Sequence, residues 1–237
     1  MSLIHDVVQE ADDAGAFYGG GQWHSFGNVI SHNKFERVGN DTRHANGIYL
    51  DDMLSGFTVQ YNVLIDVYGY AFMIGGGRSN TVTNNIVINH GIGSYFYYDQ
   101  RMRDNYLAGH PAFLNQDTGM WAELNRYPQR TSELWASKYP QLAAITFDTS
   151  DIDNPDFPIN PAYSVVKNNI YVGRAIDKWN LIVWDTVPKY SEIGEYLYSA
   201  EESRVFEEGS YELTKIGKRS KIEYEVVPFE GYGTYAD

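Results

Sequence analysis

Short runs of alternating apolar and polar residues recur along the chain, and glycine or asparagine interrupts them. One group places asparagine after a β-prone run: NVISHNKF (28–35), FTVQYNVL (57–64), NTVTNNIV (80–87) and SVVKNNIY (164–171). A second group comprises AFYGGG (16–21), GIYLDD (47–52), AFMIGG (71–76) and SYFYYD (94–99). Both groups contain intervals of about 23 residues, which indicates a structural repeat of that length.

Short strands at this period predict an all-β fold, the parallel β-helix. A single coil cannot bury its apolar face alone, so stacked neighbours must supply the core. The recurrent asparagines fit the bends, because asparagine tolerates the left-handed conformation and bonds to nearby backbone. Stacked about 4.8 Å apart, their amides would form a ladder. A structural role is therefore favoured for Asn33, Asn62, Asn85 and Asn169.

Period-two alternation in the second group predicts which side chains face inward. The predicted inner stack contains Phe17, Ile48, Phe72 and Tyr95, followed by Leu50, Ile74 and Tyr97. The predicted outward residues are Tyr18, Tyr49, Met73 and Phe96. Such an aromatic stripe could stack sugar rings or lie beneath a covering segment, and the pattern leaves both readings open.

The repeat stops at residues 110–162, which we interpret as an insertion between coils. Helical spacing occurs at 119–127 and 131–142, with Thr131 or Ser132 as a cap and with these apolar anchors: Trp121, Leu124, Leu134, Trp135 and Leu142. The coils are predicted to occupy 1–175. Residues 176–237 are predicted to cap the same domain, with a short helix at 199–209 and a hairpin at 211–227.

Composition narrows the classes of function. The 237 residues carry a net charge of −13, which argues against nucleic acid and mildly against a polyanionic partner. The absence of cysteine excludes disulfides and thiolate metal sites. The first residues, MSLIHDVVQEADD, do not resemble a signal peptide, and no apolar run is long enough for a membrane span. We expect the C-terminal part of a longer exported protein, extracellular or periplasmic.

Four segments carry a resemblance to a known family: DAGAFYGGGQW (13–23), NGIYLDD (46–52), GGGRSNTVTNNI (75–86) and YYDQR (97–101). Together they resemble bacterial right-handed parallel β-helix proteins that act on carbohydrates, over residues 5–175. The resemblance implies a right-handed helix, a polysaccharide or oligosaccharide partner, and a glycoside hydrolase or polysaccharide lyase. It also implies a role for Asp13.

The predicted catalytic residues are carboxylates. Register places Asp52 and Asp99 in one column, two coils or about 9.5 Å apart. Inverting glycosidases separate their two carboxyl groups by about 6.5–9.5 Å. The charge of Asp51 would raise the pKa of Asp52 and favour a protonated acid. Register leaves Asp13 about 23 Å from Asp51. The alternative is that these aspartates only cap turns.

A second set of residues is predicted to bind substrate: Tyr18, Trp23, His44, Tyr49, Arg78, Phe96 and Arg101. Arg78 and Arg101 would share a column and hold a carboxylate or sugar hydroxyls, or else form ion pairs with the aspartates. No cofactor is predicted, and the histidine spacing does not fit zinc. Charge alone would allow a structural Ca²⁺ at 151–156, or at Asp51 and Asp52.

Three functions follow, in order of preference. The first is a glycoside hydrolase that uses paired aspartates. The second is a polysaccharide lyase, in which Tyr49, His44, Arg78 and Arg101 would supply the base and the cation. The third is a carbohydrate-binding or structural β-helix without catalysis. The sequence does not give the sugar, the linkage or the oligomeric state.

Overall fold

Three parallel β-sheets wrap around one core in the computed structural model, which describes residues 2–90, 92–110, 115, 117–219 and 222–224. The first sheet contains β1 Ser2–Val7, β4 Asn33–Val38, β7 Val63–Val67, β10 Ile86–Asn89, β13 Ile170–Gly173 and β16 Leu197–Ser199. The second contains β2 Gly15–Gly20, β5 Asn46–Asp51, β8 Tyr70–Ile74, β11 Ser94–Tyr98 and β14 Leu181–Val183. The third contains β3 Asn28–Ser31, β6 Phe57–Gln60, β9 Thr81–Thr83, β12 Val165–Lys167 and β15 Glu192–Ile193.

Five coils each contribute one strand to every sheet and β16 extends the first sheet alone, so the predicted all-β parallel solenoid is confirmed. Strands that are neighbours in space lie one coil apart in sequence, and every pair is parallel. The interior is filled by stacked aliphatic and aromatic side chains. In the second sheet the inner column consists of Phe17, Ile48, Phe72 and Phe96.

The predicted faces hold for the first three coils. At the fourth coil Tyr95 is buried in the core as predicted, but the predicted faces of Phe96 and Tyr97 are wrong. Phe96 is 1% exposed in the core, whereas Tyr97 lies beside Met73 on the outer face. The cause is the bend after β10. Ile86 pairs with Val63 and Ser94 with Tyr70, so the chain between them is one residue longer in the fourth coil. A shift of one residue exchanges the two faces of a strand.

The asparagine ladder is confirmed at one corner of the coils. The amide of Asn62 donates to Oδ1 of Asn85 at 3.1 Å, and that of Asn85 donates to Oδ1 of Asn169 at 3.1 Å. The left-handed residue, however, is the one before each asparagine, for example Tyr61 at φ 56° and Asn84 at φ 56°. The ladder asparagines therefore serve through their amides, and not through backbone tolerance as the sequence suggested.

The insertion begins earlier than predicted, because the chain turns into a helix directly after β11. It contains α1 Arg101–Leu107, α2 Met120–Asn125, a 3₁₀ turn at Pro128–Thr131, α3 Glu133–Lys138 and α4 Pro140–Ala143. Leu124 and Leu142 are buried as predicted, but Leu134 is 76% exposed and is no anchor. Ser132 occupies the N-cap position of α3, although its side chain does not cap the helix.

The coils continue beyond residue 175, so the boundary predicted there is too early. Strands β14, β15 and β16 add to all three sheets, with α5 Val187–Tyr190 between them. The short helix predicted at 199–209 is present as α6 Glu202–Val205. Residues 211–219 hold a 3₁₀ turn, Gly217–Arg219, in place of the predicted first hairpin strand. Most of the second strand lies outside the described residues. Within the described chain, no helix combines the length and apolarity that a membrane span requires.

Candidate functional site

The second sheet ends at a bend where an aspartate occupies a position that neighbouring coils give to glycine. Asp52 follows the last residue of β5 and has a φ of 41°. Gly21 and Gly76 occupy the same place in adjacent coils, with φ of 73° each. A side chain in this left-handed region costs free energy that glycine avoids, although aspartate tolerates it better than most residues. The chain therefore keeps a carboxylate where conformation alone favours glycine.

Arg101 joins two other carboxylates beside this bend. Its Nη2 donates to Oδ1 of Asp51, and its Nε lies 3.2 Å from Oδ2 of Asp99. The other oxygen of Asp51 accepts a hydrogen bond from the Tyr18 hydroxyl at 3.1 Å. Asp51 is therefore held from both sides, by a cation and by a phenol.

The predicted pairing of Asp52 with Asp99 is wrong by one residue. Tyr98 pairs with Ile74 and Ile74 with Leu50, so Asp99 lies level with Asp51. Along the axis of the β-helix, the backbones of Asp51 and Asp99 are two coils apart, which is about 9.6 Å at about 4.8 Å per coil. The cause is the same longer bend before β11 that reversed the faces of that strand.

Gly75 creates the space through which Arg101 reaches Asp51. It lies at the level between Asp51 and Asp99. A Cβ on Gly75 would stand 2.9 Å from Oδ1 of Asp51 and would collide with Nη2 of Arg101. The sequence predicted a gap at Gly76, one residue further along.

Burial raises the pKa of two carboxyl groups in the cluster. Asp99 is fully buried, and this desolvation raises its pKa to about 6 despite the neighbouring Arg101. Asp52 is only half-buried, and its pKa is raised by burial first and by the charge of Asp51 second. The predicted influence of Asp51 on Asp52 thus acts in the expected direction, but desolvation is the larger cause. Of the two groups, Asp52 is the one that solvent reaches.

Asp13 belongs to the cluster, contrary to the distance inferred from register. The Tyr49 hydroxyl donates to Oδ1 of Asp13 at 3.2 Å. The same tyrosine lies close enough to Asp51 and Arg101 for both to influence its pKa. Asp13 also adds to the raised pKa of Asp52. Backbone register placed Asp13 far away because it ignored the length of the tyrosine side chain.

An aromatic surface continues from the carboxylates across the outer face of the second sheet. Tyr18 is 52% exposed, and its ring meets that of Tyr49 edge-on at 5.2 Å. Tyr97 contacts Tyr70 at 5.1 Å and Trp184 at 6.3 Å. A groove of about 390 Å³ opens beside it, lined by Asp12, Asp13, His44, Asn46, Tyr68, Gly69, Tyr70, Met73 and Ser94.

Sequence reasoning missed Tyr70, Tyr97, Trp179 and Trp184 on this side of the molecule. Trp179 is 64% exposed, and its carbonyl accepts the Tyr70 hydroxyl at 3.3 Å. The sequence contained a signal for Tyr70 and Tyr97. A period of 24 residues aligns Asn46, Tyr70 and Ser94 in one column of the second sheet, and the same period places Tyr97 beside Met73 on the outer face. The two tryptophans follow the point at which the repeat was thought to end.

Three residues predicted to bind substrate lie elsewhere. Arg78 is fully buried, where it donates to the carbonyls of Phe157 at 3.1 Å and Pro155 at 3.0 Å and thereby holds the insertion on the coils. Trp23 is 1% exposed and packs in the core beneath the insertion. Phe96 is buried in the main core. Tyr18, Tyr49 and Arg101 lie in the cluster, and His44 lines the groove.

The geometry gives the suggested Ca²⁺ sites no support. Among the described residues, no group of three or more histidine, cysteine, aspartate or glutamate side chains is arranged to hold a metal ion. At 151–156, Asp153 pairs with Arg103, and Asp156 accepts the Tyr163 hydroxyl at 2.7 Å. At the bend, Asp51 is paired with Arg101.

Comparison with known proteins agrees with this architecture. Residues 12–125 match a protein-family model described as a right handed beta helix region. No curated protein and no solved structure matches the chain. The protein is therefore a right-handed parallel β-helix, a scaffold on which many chemistries occur, so that function must be argued from the site itself.

Proposed function

We propose that this protein is a glycoside hydrolase that acts on a polysaccharide or oligosaccharide at the carboxylate cluster. The observation that carries the proposal is Asp52, a half-buried carboxyl group at a left-handed position that the adjacent coils fill with glycine. Residues held in sparsely populated backbone regions cluster at active sites, and Asp52 combines such a conformation with a half-buried carboxyl group of raised pKa.

In this proposal Asp52 is the general acid. Its raised pKa favours the protonated form that donates to the departing glycosidic oxygen. Asp13 is the base that activates water, since it is exposed and its described hydrogen bond engages only one of its two oxygens. This pairing replaces the pair Asp52 and Asp99 that the sequence suggested.

Asp51, Asp99 and Arg101 act as positioning residues. Asp99 is fully buried and cannot contact a glycan, and both oxygens of Asp51 are engaged by Arg101 and Tyr18. Their ion pairs fix the end of β5, from which Asp52 projects. Exposed Tyr18 and the neighbouring aromatic rings offer faces on which sugar rings stack.

The test compares Asp52→Asn and Asp13→Asn with Asp185→Asn, a control at an exposed aspartate. Reducing-end release from a panel of neutral and acidic glycans should fall about 10²–10⁴-fold in the first two variants and stay unchanged in the control. Unfolding midpoints should stay within a few degrees of one another. Unchanged turnover in Asp52→Asn would refute the proposal.

The pH profile provides a second check. An acid catalyst must be protonated, so hydrolysis should decline as pH rises through the pKa of Asp52, which lies above its ordinary value. Asp52→Asn should remove that alkaline limb. Asp185→Asn should leave the profile in place.

The lyase alternative receives less support from the arrangement. Arg78 is held by backbone carbonyls and Arg101 by two carboxylates, so neither guanidinium meets a uronate without first losing partners. Absorbance of unsaturated products in the same assays would identify a lyase. Non-catalytic binding is supported by the exposed aromatic rings alone, and glycan affinity without turnover in the wild type would favour it.

A further inference from the structure

A separate cavity of about 210 Å³ lies where the insertion meets the loop after β2. Its lining consists of His24, Tyr127, Gln129, Arg130, Trp135 and Leu142, and none of the clustered carboxylates borders it. The rings of His24 and Tyr127 stack at 4.4 Å. Most of the wall is therefore aromatic or aliphatic, and its volume suits a single ring.

Arg130 is the cation of this cavity, and it is only partly satisfied. Its Nη1 donates to the carbonyls of Leu142, Ala143 and Ile145 at 3.2–3.3 Å. In the described part of the chain, no carboxylate lies within ion-pair distance of Arg130. Glu123, whose charge acts on His24, is instead paired with Arg126 at 2.7 Å.

A half-buried guanidinium without an anion gains from a ligand that brings one. Burial removes water from the Arg130 guanidinium and so disfavours its charged form. A carboxylate beside the guanidinium would replace the favourable interaction with water that burial removes. Bidentate pairing uses two neighbouring N–H groups of the guanidinium fork. Nε and Nη2 make no hydrogen bond to any residue that the structure describes.

We propose that this cavity binds a small aromatic carboxylate. The ring would pack between Tyr127, Trp135 and Leu142 while the carboxylate meets Arg130. A carboxylated sugar fits less well, because its hydroxyl groups would face apolar walls with few partners, and unpaired polar groups are costly to bury. The inference does not depend on the proposed hydrolase, since it uses different residues.

The experiment titrates the full chain with benzoate, benzamide and glucuronate by calorimetry. Benzoate should bind at least about tenfold more tightly than benzamide, which has the same ring but no charge. It should also bind at least about tenfold more tightly than glucuronate, which has the charge but no aromatic ring. Tighter binding of glucuronate would identify a uronate site and overturn the proposal.

Two variants separate recognition from folding. Arg130→Gln should weaken benzoate about tenfold and leave benzamide unchanged, whereas Arg126→Gln, an exposed neighbour, should change neither. Arg130 also holds three backbone carbonyls, so Arg130→Gln could unfold the protein. In that case Trp135→Leu serves as the test: it removes part of the wall that contacts the ring, and it should weaken the binding of benzoate and of benzamide alike. Equal affinity for benzoate and benzamide, or no binding of benzoate below about 10 mM, would refute the assignment.

Discussion

At the scale of single residues, one buried carboxyl group sets how the cluster responds to pH. Asp99 has a pKa of about 6 because it is desolvated, against an ordinary value of 3.8. The folded state therefore keeps a proton on Asp99 that the unfolded state releases. The resulting stability is complete below about pH 4 and is lost as pH rises through about 6.

Asp99→Asn should abolish this dependence, because asparagine stays neutral at every pH. The unfolding free energy of the wild type relative to this variant should decline by about 2 kcal/mol between pH 4 and pH 7. Urea denaturation of both proteins at intervals of one pH unit measures this difference in unfolding free energy. Asp185→Asn serves as the control. A constant difference between wild type and Asp99→Asn would show that the carboxyl group is ionised throughout.

Gly75 is the residue on which the Asp51–Arg101 ion pair depends. Gly75→Ala would place a methyl group 2.9 Å from Oδ1 of Asp51 and against Nη2 of Arg101. Since Arg101 can move away, we expect a stability loss of only about 1–2 kcal/mol.

Hydrolysis, in contrast, should fall at least tenfold in Gly75→Ala as Asp51 loses its partner. Gly20→Ala is the matched control, because its Cβ would meet the carbonyl group and Cβ of Asp51 at 3.3–3.4 Å and not the Asp51 carboxylate or Arg101. Equal activity in the two variants would mean that the ion pair does not position the catalytic groups.

At the scale of elements, the asparagine ladder fixes the corner between the third and first sheets. The Asn85 amide donates to the carbonyls of Val59 at 3.0 Å and Thr83 at 3.1 Å, as well as to Asn169. Its Oδ1 accepts the backbone N–H of Asn62 at 3.0 Å. Removal of the Asn85 side chain therefore leaves several buried polar groups without hydrogen-bond partners at once.

Asn85→Ala should therefore destabilise the protein by about 3 kcal/mol, measured by urea unfolding. Asn33→Ala, at the half-buried end of the same ladder, should cost about 1 kcal/mol, because fewer groups are left unpaired. If the two losses were equal, the interior and the end of the ladder would contribute alike.

At the scale of the whole molecule, charge governs which glycans can approach. The chain has a net charge of −13, and four of its aspartates, Asp13, Asp51, Asp52 and Asp99, lie in one cluster. A polyuronate would meet repulsion that a neutral oligosaccharide does not.

Affinity for neutral oligosaccharides should accordingly exceed that for polyuronates of equal length at about 0.02 M salt. The gap should narrow at about 0.5 M, where charges are screened over a few ångströms. Calorimetric titrations at the two salt concentrations measure the affinity for each kind of glycan. Tighter polyuronate binding at low salt would mean that the local groove outweighs the overall charge. Export and bacterial origin stay predictions.

The sequence alone determined the fold and identified several residues of the candidate site. The repeated strands, the asparagines and the aspartate doublet required only local pattern, because a solenoid is built from contacts between adjacent coils. From that pattern followed the parallel β-helix, the ladder, and the presence of Tyr18, Tyr49, Asp52 and Arg101 in one region, whereas Asp13 was suggested only by the family resemblance.

Tertiary structure decided which carboxylates meet and which side chains face outward. One additional residue in the bend before β11 moved Asp99 level with Asp51 and exchanged Phe96 for Tyr97 on the outer face. Such a change is invisible to a repeat averaged over coils, because strand faces alternate every residue. The long side chains of Tyr49 and Arg101 then joined groups that backbone register held apart. Their reach depends on the shape of the packed bend, which local pattern does not encode.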